Sequence, residues 1–248
     1  MKAPHVAVIG GTGMNQWPGL VVSGSHALDT PWGAPSAPLL IGAIDGRPVA
    51  FLARHGEGHK IPPHRINYRA NIAGLHATGI RTVIAIAAVG GISEWFAPGE
   101  VALPTDVVDY TYDRAHTYTD GTPGAPFQHV ELGEPYTPRV RQVLLDAARD
   151  AGVPVAGAGV MGVTQGPRLE TPAEIRRMRV DGCDMVGMTG MPEAALAAEL
   201  GLEYACLALS VNWAAGLGTG GIHAEIERSI AAGMAKVQAI LARALEAL

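Results

Sequence analysis

Residues 82–91 read TVIAIAAVGG, and every residue after Thr82 is apolar or glycine. A strand with one face in water alternates polar and apolar side chains, so a run without alternation has to be covered on both faces. This stretch therefore demands a layered fold with a sheet in its interior. Five other short runs share the character: HVAVIG (5–10), VAFLAR (49–54), VPVAGAGVMGVTQG (153–166), MVGMTG (185–190) and YACLALSVN (204–212). Between them lie segments with helical patterning, NYRANIAGLHATG (67–79), PRVRQVLLDAARDAG (138–152), TPAEIRRMRVDG (171–182) and PEAALAAELG (192–201), which stop at glycine as helices commonly do. From His223 onward an Ala-rich stretch with its charges on one side reads as one long closing helix. Strands alternating with helices in this way predict an α/β sandwich around a mixed, largely parallel central sheet. The aperiodic segment 110–136 reads as a long excursion, a kind of loop that is often functional.

The 248 residues fit one domain, 1–248, with ample core. Charged residues make up 17% and the formal net charge is −5, with Lys and Arg scattered, which recommends no basic face for nucleic acid. The two cysteines, Cys183 and Cys206, are too few for a disulfide framework or a zinc cluster and read as packing residues in a reducing compartment. The first apolar run is broken at once by glycines, too soon for a secretory signal, and no stretch approaches the length of a membrane span. The expectation is a cytoplasmic protein without nucleic-acid or membrane partners.

In such a sheet, ligands bind beyond the carboxyl ends of the strands. Gly10-Gly11-Thr12-Gly13 follows the first run and offers a hydroxyl and backbone N–H groups to an anion, or else a tight turn. Arg54-His55 ends the second, and a guanidinium beside an imidazole suits phosphate, though a surface pair would look the same. Ala88 to Gly91 let a ligand approach the backbone closely, and Thr189 supplies either another hydroxyl or a helix cap. Together they describe a pocket for inorganic phosphate better than a nucleotide cradle. Arg54, facing such a pocket, is expected to contribute little to the core. In GVTQGPRLET (162–171), Thr171, Pro172 and Glu174 form a helix-capping pattern that needs nothing from Glu170.

The blocks VIGGTG, RHGEGHKIPPHRINYRANI, AVGGI, GVTQGPRLETPAEIRRM and DMVGMTGMPEAALAAELGLEYACLALSVN follow one another in the order and spacing of a known family. Over nearly the whole chain the sequence resembles the trimeric purine nucleoside phosphorylases and methylthioadenosine phosphorylases, on their 6-oxopurine side. The resemblance implies a phosphorylase-type α/β fold, a homotrimer or dimer of trimers with active sites near subunit interfaces, and no metal or organic cofactor. It implies that phosphate is held by Thr12, Arg54, His55, Ala88 and Thr189 and that Met188 lines the ribose. Many methylthioadenosine relatives carry a threonine where this chain has Ala87, so one phosphate hydroxyl is missing.

By the same resemblance, Glu170 and Asn212 fall on the glutamate and asparagine of members that cleave 6-oxopurine nucleosides. A carboxylate only accepts hydrogen bonds, which suits the N1–H of hypoxanthine or guanine and opposes the lone pair of adenine. Asn212 would stabilise the departing base at N7 and O6. His223 matches a histidine set against the 5′-hydroxyl, and His129 one contributed by the neighbouring subunit. The expected activity is phosphorolysis of inosine or guanosine to the free base and ribose 1-phosphate in purine salvage, ahead of 5′-methylthioinosine. The runner-up is S-methyl-5′-thioinosine phosphorylase, which differs only in its 5′ pocket. A non-catalytic nucleoside-binding module would not need a second pocket for phosphate, and an NAD-dependent oxidoreductase lacks its glycine fingerprint here.

Overall fold

The structure is a computed structural model that describes residues 3–11, 17, 19–119, 121, 129–219 and 222–248, without the side chains of 222–224. Along the chain, β1 (Val6–Gly10) is followed by β2 (Val21–His26), β3 (Leu39–Ile44) and β4 (Arg47–Ala53), then by α1 (Tyr68–Ala77) and the long β5 (Thr82–Gly91). Short strands β6 (Val101–Ala102) and β7 (Asp106–Asp109) precede α2 (Pro138–Asp150), and β8 (Val155–Ala156) and β9 (Val160–Val163) precede α3 (Pro172–Val180). The chain closes with β10 (Met185–Gly187), α4 (Gly190–Glu199), β11 (Glu203–Trp213) and α5 (Ile222–Ala247).

Among the described residues the strands join one mixed sheet, running β2-β3-β4-β1-β5-β10-β9-β7, with β11 on β5, β6 on β11 and β8 on β6. The two faces of β5 are both buried, as its unbroken apolar run requires. Val83, Ala85 and Ala87 pack with Ile72 and Leu75 of α1 and Leu196 of α4. Ile84 and Ile86 pack on the other face with Val140 and Leu144 of α2 and Val237, Ile240 and Leu241 of α5. Successive side chains leave a strand on opposite faces, so one run of Val, Ile and Ala serves two cores. Cys183 and Cys206 are free and buried.

One reading needs correction, and two features were not read from the sequence. The run 153–166 is not one strand but two, β8 and β9, broken around Gly159, whose φ of +132° a side chain would resist. The β3–β4 hairpin turns on Asp45-Gly46, with φ of +46° and +77°; this is the two-residue turn whose twist suits antiparallel strands, and its Asp-Gly signal was in the sequence. Strand β2 escaped notice because it is an exposed edge, VVSGSH, without a buried stripe.

Candidate active site

One edge of β5 is held by β11 along its whole length, from Glu203 opposite Thr82 to Trp213 opposite Gly91. The other edge is shared: β1 pairs with Thr82–Ala85, and β10 only with Gly90 and Gly91. Between them, at 86–89, no described strand lies alongside. The Ile86 carbonyl faces this opening and accepts from Arg54 Nη1 at 2.8 Å. Backbone groups of alternate residues leave a strand on the same edge, so the N–H and C=O of Ala88 face the opening as well. A cavity of about 560 Å³ begins here, floored by Ala87, Ala88, Val89 and Gly90. Gly11 closes over it so tightly that a Cβ would stand 2.6 Å from the Ile86 carbonyl oxygen.

Arg54 is not a pocket-rim residue with little share in the core; it is 1% exposed and locked to a carboxylate that is wholly buried. Its Nε and Nη2 each donate to Glu193 at 2.8 Å, and Tyr204 Oη donates to the same Glu193 at 2.8 Å. Burial pulls the Arg54 pKa down, but the Glu193 charge and hydrogen bonds outweigh it and leave the group above its ordinary value. Three of the five guanidinium donors are used among the described residues, leaving two for a ligand in the cavity that Arg54 also lines. Beside it His55 is buried, and its Nδ1 lies 2.8 Å from the Ile61 carbonyl oxygen, which can only accept. Nδ1 therefore carries the hydrogen, and Nε2 is a lone pair in the neutral ring. Burial first, then the charge of Arg54, push the His55 pKa down to about 4 despite that hydrogen bond.

Across the cavity stands Glu170, just before the helix α3. The cap reading of this segment holds: Thr171 Oγ1 accepts from Glu174 N, Glu174 accepts from Thr171 N, and Glu174 also pairs with Arg168 at 2.7 Å. Glu170 takes no part in that and lines the cavity instead, where its Oε1 accepts from Thr164 Oγ1 at 2.6 Å. Asn212 reaches the same cavity through a bulge: β11 spends Val211 as an extra residue between Ser210 and Asn212. Successive side chains would otherwise point to opposite faces, yet Val211 and Asn212 both line the cavity. Asn212 Nδ2 donates to the Trp213 carbonyl at 2.7 Å, leaving one N–H and Oδ1 for a ligand.

Met188 and Thr189 line the cavity from the turn between β10 and α4. Thr189 stands at the helix cap position, but its side chain makes no capping bond. The turn is held by Arg114, a residue of the 110–136 excursion that carries no sequence signal of its role. Its guanidinium donates to the carbonyls of Met188, Met191, Thr164 and Gln165, to Gln165 Oε1 and to Tyr68 Oη, at 2.6 to 3.2 Å. Tyr68 Oη in turn donates to the carbonyl of Pro63, another lining residue. One buried cation thus ties three walls of the cavity together.

Of the expected site residues, Arg54, His55, Ala88, Glu170, Met188, Thr189 and Asn212 converge on this one cavity. Thr12 lies outside the described residues, and so does the side chain of His223, although its position is the second of α5. His129 is exposed and does not line the cavity of its own chain. Besides Arg114, reading the sequence missed Glu193, whose carboxylate within the apolar run MPEAALAA was a signal of a buried pair. It also missed Thr164, His59, Lys60 and Ile226, the last three of which line the cavity. Among the described residues no three or more His, Cys, Asp or Glu side chains stand together as a metal site. No described helix is long and apolar enough to cross a membrane.

Residues 5–246 match the family described as the phosphorylase superfamily. The chain belongs to that superfamily. A probable S-methyl-5′-thioinosine phosphorylase of Xanthomonas campestris pv. campestris is 55% identical over 213 residues, 86% of this chain and 85% of the relative. A 6-oxopurine nucleoside phosphorylase of Pyrococcus furiosus is 42% identical over 219 residues, 86% of this chain and 81% of the relative. Methylthioadenosine phosphorylase from Schistosoma mansoni, solved in complex with adenine, superposes with a TM-score of 0.91 at 30% identity, over 98% of this chain and 91% of that one. The chain is thus an enzyme of the purine and methylthio nucleoside phosphorylase family, with the phosphorylase α/β fold.

Proposed function

We propose that the enzyme cleaves S-methyl-5′-thioinosine with phosphate, giving hypoxanthine and 5-methylthioribose 1-phosphate. The observation that carries this reading is the polarity of the cavity wall: Glu170 and Asn212 are polar, whereas among the described side chains α5 contributes Ile226, with Ala214 and Ala215 beside it. An apolar wall suits a methylthio group, and Ile226, Ala214 and Ala215 offer no partner to a 5′-hydroxyl. The relatives at 51% to 55% identity that carry the name probable S-methyl-5′-thioinosine phosphorylase support the same choice over the inosine or guanosine preference expected from His223.

In this reading phosphate sits at the opening along β5, against the two remaining donors of Arg54, the N–H of Ala88 and the hydroxyl of Thr189. A phosphate oxygen forms its bond to C1′ as the bond from C1′ to N9 breaks, and the electron pair passes into the purine. The sugar becomes cation-like beside the phosphate dianion, and the base gathers charge opposite Asn212; solvent gives N7 a proton and takes the one the phosphate loses, so that Asn212 Oδ1 accepts from N7–H while its second N–H donates to O6. Glu170 accepts from N1–H; facing the lone pair of adenine it would stand against a second acceptor, at a cost of about 1–3 kcal/mol. Competition between methylthioinosine and inosine in one phosphate-containing reaction tests the assignment. Methylthioinosine is expected to be consumed first, and Ile226→Asn to reduce its lead about tenfold. Earlier consumption of inosine by the unaltered enzyme would return the assignment to an ordinary 6-oxopurine nucleoside phosphorylase.

A further inference from the structure

We propose that Lys60 supplies the counter-charge that draws phosphate into the cavity, acting on capture of the anion and not on the bond-breaking step. The inference rests on the reading in which phosphate enters at the opening along β5. Arg54 is a cation there, but its two bonds to the buried Glu193 make that pair neutral as a whole. His55 carries no charge near neutral pH, since burial and the charge of Arg54 push its pKa down to about 4, and burial lowers that of His59 as well. The Glu170 carboxylate in the same cavity is negative. The N–H of Ala88 and the hydroxyl of Thr189 at the start of α4 offer dipoles, not a whole charge. Lys60 remains: it lines the cavity, is exposed, and forms no ion pair among the described residues. Without it a dianion would have to enter a cavity whose uncompensated charge is negative, in a chain whose formal net charge is −5.

The loop that carries Lys60 is fastened at the cavity. The His55 carbonyl accepts from the Ile61 N–H at 2.9 Å, and the Ile61 carbonyl lies 2.8 Å from His55 Nδ1, so the two residues that bracket the loop are joined twice. Inside it the Gly56 carbonyl accepts from the His59 N–H at 3.2 Å, and Gly56, Gly58 and His59 all have positive φ, from +56° to +72°. The His59 ring lies 4.2 Å from that of His55. Lys60 thus stands one residue from a double clasp, on the same side of the cavity as Arg54 and His55. Glu57, the acidic residue of this loop, is exposed and does not line the cavity. A hydrated ammonium on a flexible stem attracts an anion over about a Debye length while staying in water itself. Because it stays in water, it leaves the charge of the bound dianion free to face the cation-like sugar, which an ion pair formed deep in the cavity would quench.

The test follows nucleoside cleavage as phosphate is varied, for the unaltered enzyme, Lys60→Met, Lys60→Arg and Lys60→Glu, at ionic strengths of about 0.02 M and about 0.5 M set with potassium chloride. At the lower strength Lys60→Met should raise the phosphate KM about tenfold and Lys60→Glu further, with kcat and the nucleoside KM within about twofold of the unaltered enzyme. Lys60→Arg keeps the charge and should stay within about threefold. At the higher strength, where the Debye length falls to a few ångströms, the variants should converge. An unchanged phosphate KM in Lys60→Met, a defect that salt does not reduce, or an equal rise in the nucleoside KM overturns the proposal. Each of these leaves the phosphorylase reading standing, because cleavage still requires phosphate. If cleavage proceeds without phosphate, or no nucleoside is cleaved, that reading falls. Calorimetric titration of inorganic phosphate into the unaltered enzyme and Lys60→Met then decides the role of Lys60: tighter binding by the unaltered enzyme upholds it, and equal or absent binding overturns it.

Discussion

Removing Arg54 should unfold more than it unbinds. Both partners of the Arg54–Glu193 pair are buried, at 1% and 0% exposure, and Arg54→Ala would leave the Glu193 carboxylate with only the hydroxyl of Tyr204. It would also leave the Ile86 carbonyl without its guanidinium donor. Truncating one member of a buried ion pair costs about 3–5 kcal/mol, mostly because the other charge stays behind, and that is a large share of a typical folding free energy. The double variant Arg54→Met/Glu193→Gln removes both charges, keeps an acceptor for Tyr204 and fills the space with a flexible apolar chain. It should therefore recover to within about 1–2 kcal/mol of the unaltered protein, since a buried pair exchanged for neutral groups of similar volume is often nearly neutral. Urea unfolding followed by tryptophan fluorescence measures both variants, and phosphate-dependent cleavage measures their activity. The double variant should be stable and still unable to use phosphate, which separates the anchoring of Arg54 from its work at the cavity. A single variant within about 1 kcal/mol of the unaltered protein, or a double variant as unstable as the single, would refute the reasoning.

Asn212→Asp replaces an amide with an acceptor for the 6-amino group of adenine, so the preference of inosine over adenosine should narrow about tenfold, read from the kcat/KM ratio of the two. His55 is held neutral, with its pKa pushed from 6.5 down to about 4, so stability is undiminished above pH 6.5 and falls as pH drops from 6.5 to about 4, the window in which the unfolded chain takes up the proton ahead of the folded one. His55→Gln should lack that segment of the pH–stability curve in urea titrations from pH 7 to 4. Arg114→Lys has three donors for acceptors that now receive six hydrogen bonds, and the displaced cavity walls should lower kcat/KM by about 10- to 100-fold with the chain still folded by circular dichroism.

The strands and helices that bury a face were legible because burial dictates composition. The run TVIAIAAVGG coincides with β5, and the pattern from Thr171 to Glu174 marks the start of α3 with its cap. Strand β2, with its exposed side chains, and β7, four residues with both ends exposed, carry no such pattern. At the site, residues at or just past the carboxyl ends of strands were legible, since Arg54, Thr189 and Asn212 stand where such sheets deliver ligand contacts. What those residues lean on was another matter. Glu193, Thr164 and Arg114 lie 139, 6 and at most 77 positions in sequence from the groups they hold, Arg54, Glu170 and Met191 respectively, and pairings across such separations follow from the topology. Arg114 in particular sits in a stretch without periodicity, where nothing local announces a buried cation.

A strand in the interior of a sheet ordinarily spends all its N–H and C=O groups on its neighbours. Strand β5 does so on the side of β11 and falls short on the other, where β1 has ended and β10 has yet to begin. The backbone at Ala88 is left to be met by water or by whatever enters. An anion received there stands in for a missing stretch of strand, and the occupied protein is a more complete sheet than the empty one. Ligand and architecture are then coupled: at a hundred times its dissociation constant, such an anion would add about 2.7 kcal/mol to the resistance against unfolding. The amide of Ala88 would exchange with solvent faster than its neighbours Ala87 and Val89, whose backbone groups point to β11, and would slow when the site fills. On that reading the interruption of the sheet makes a strand covered on both faces responsive to the anion it receives.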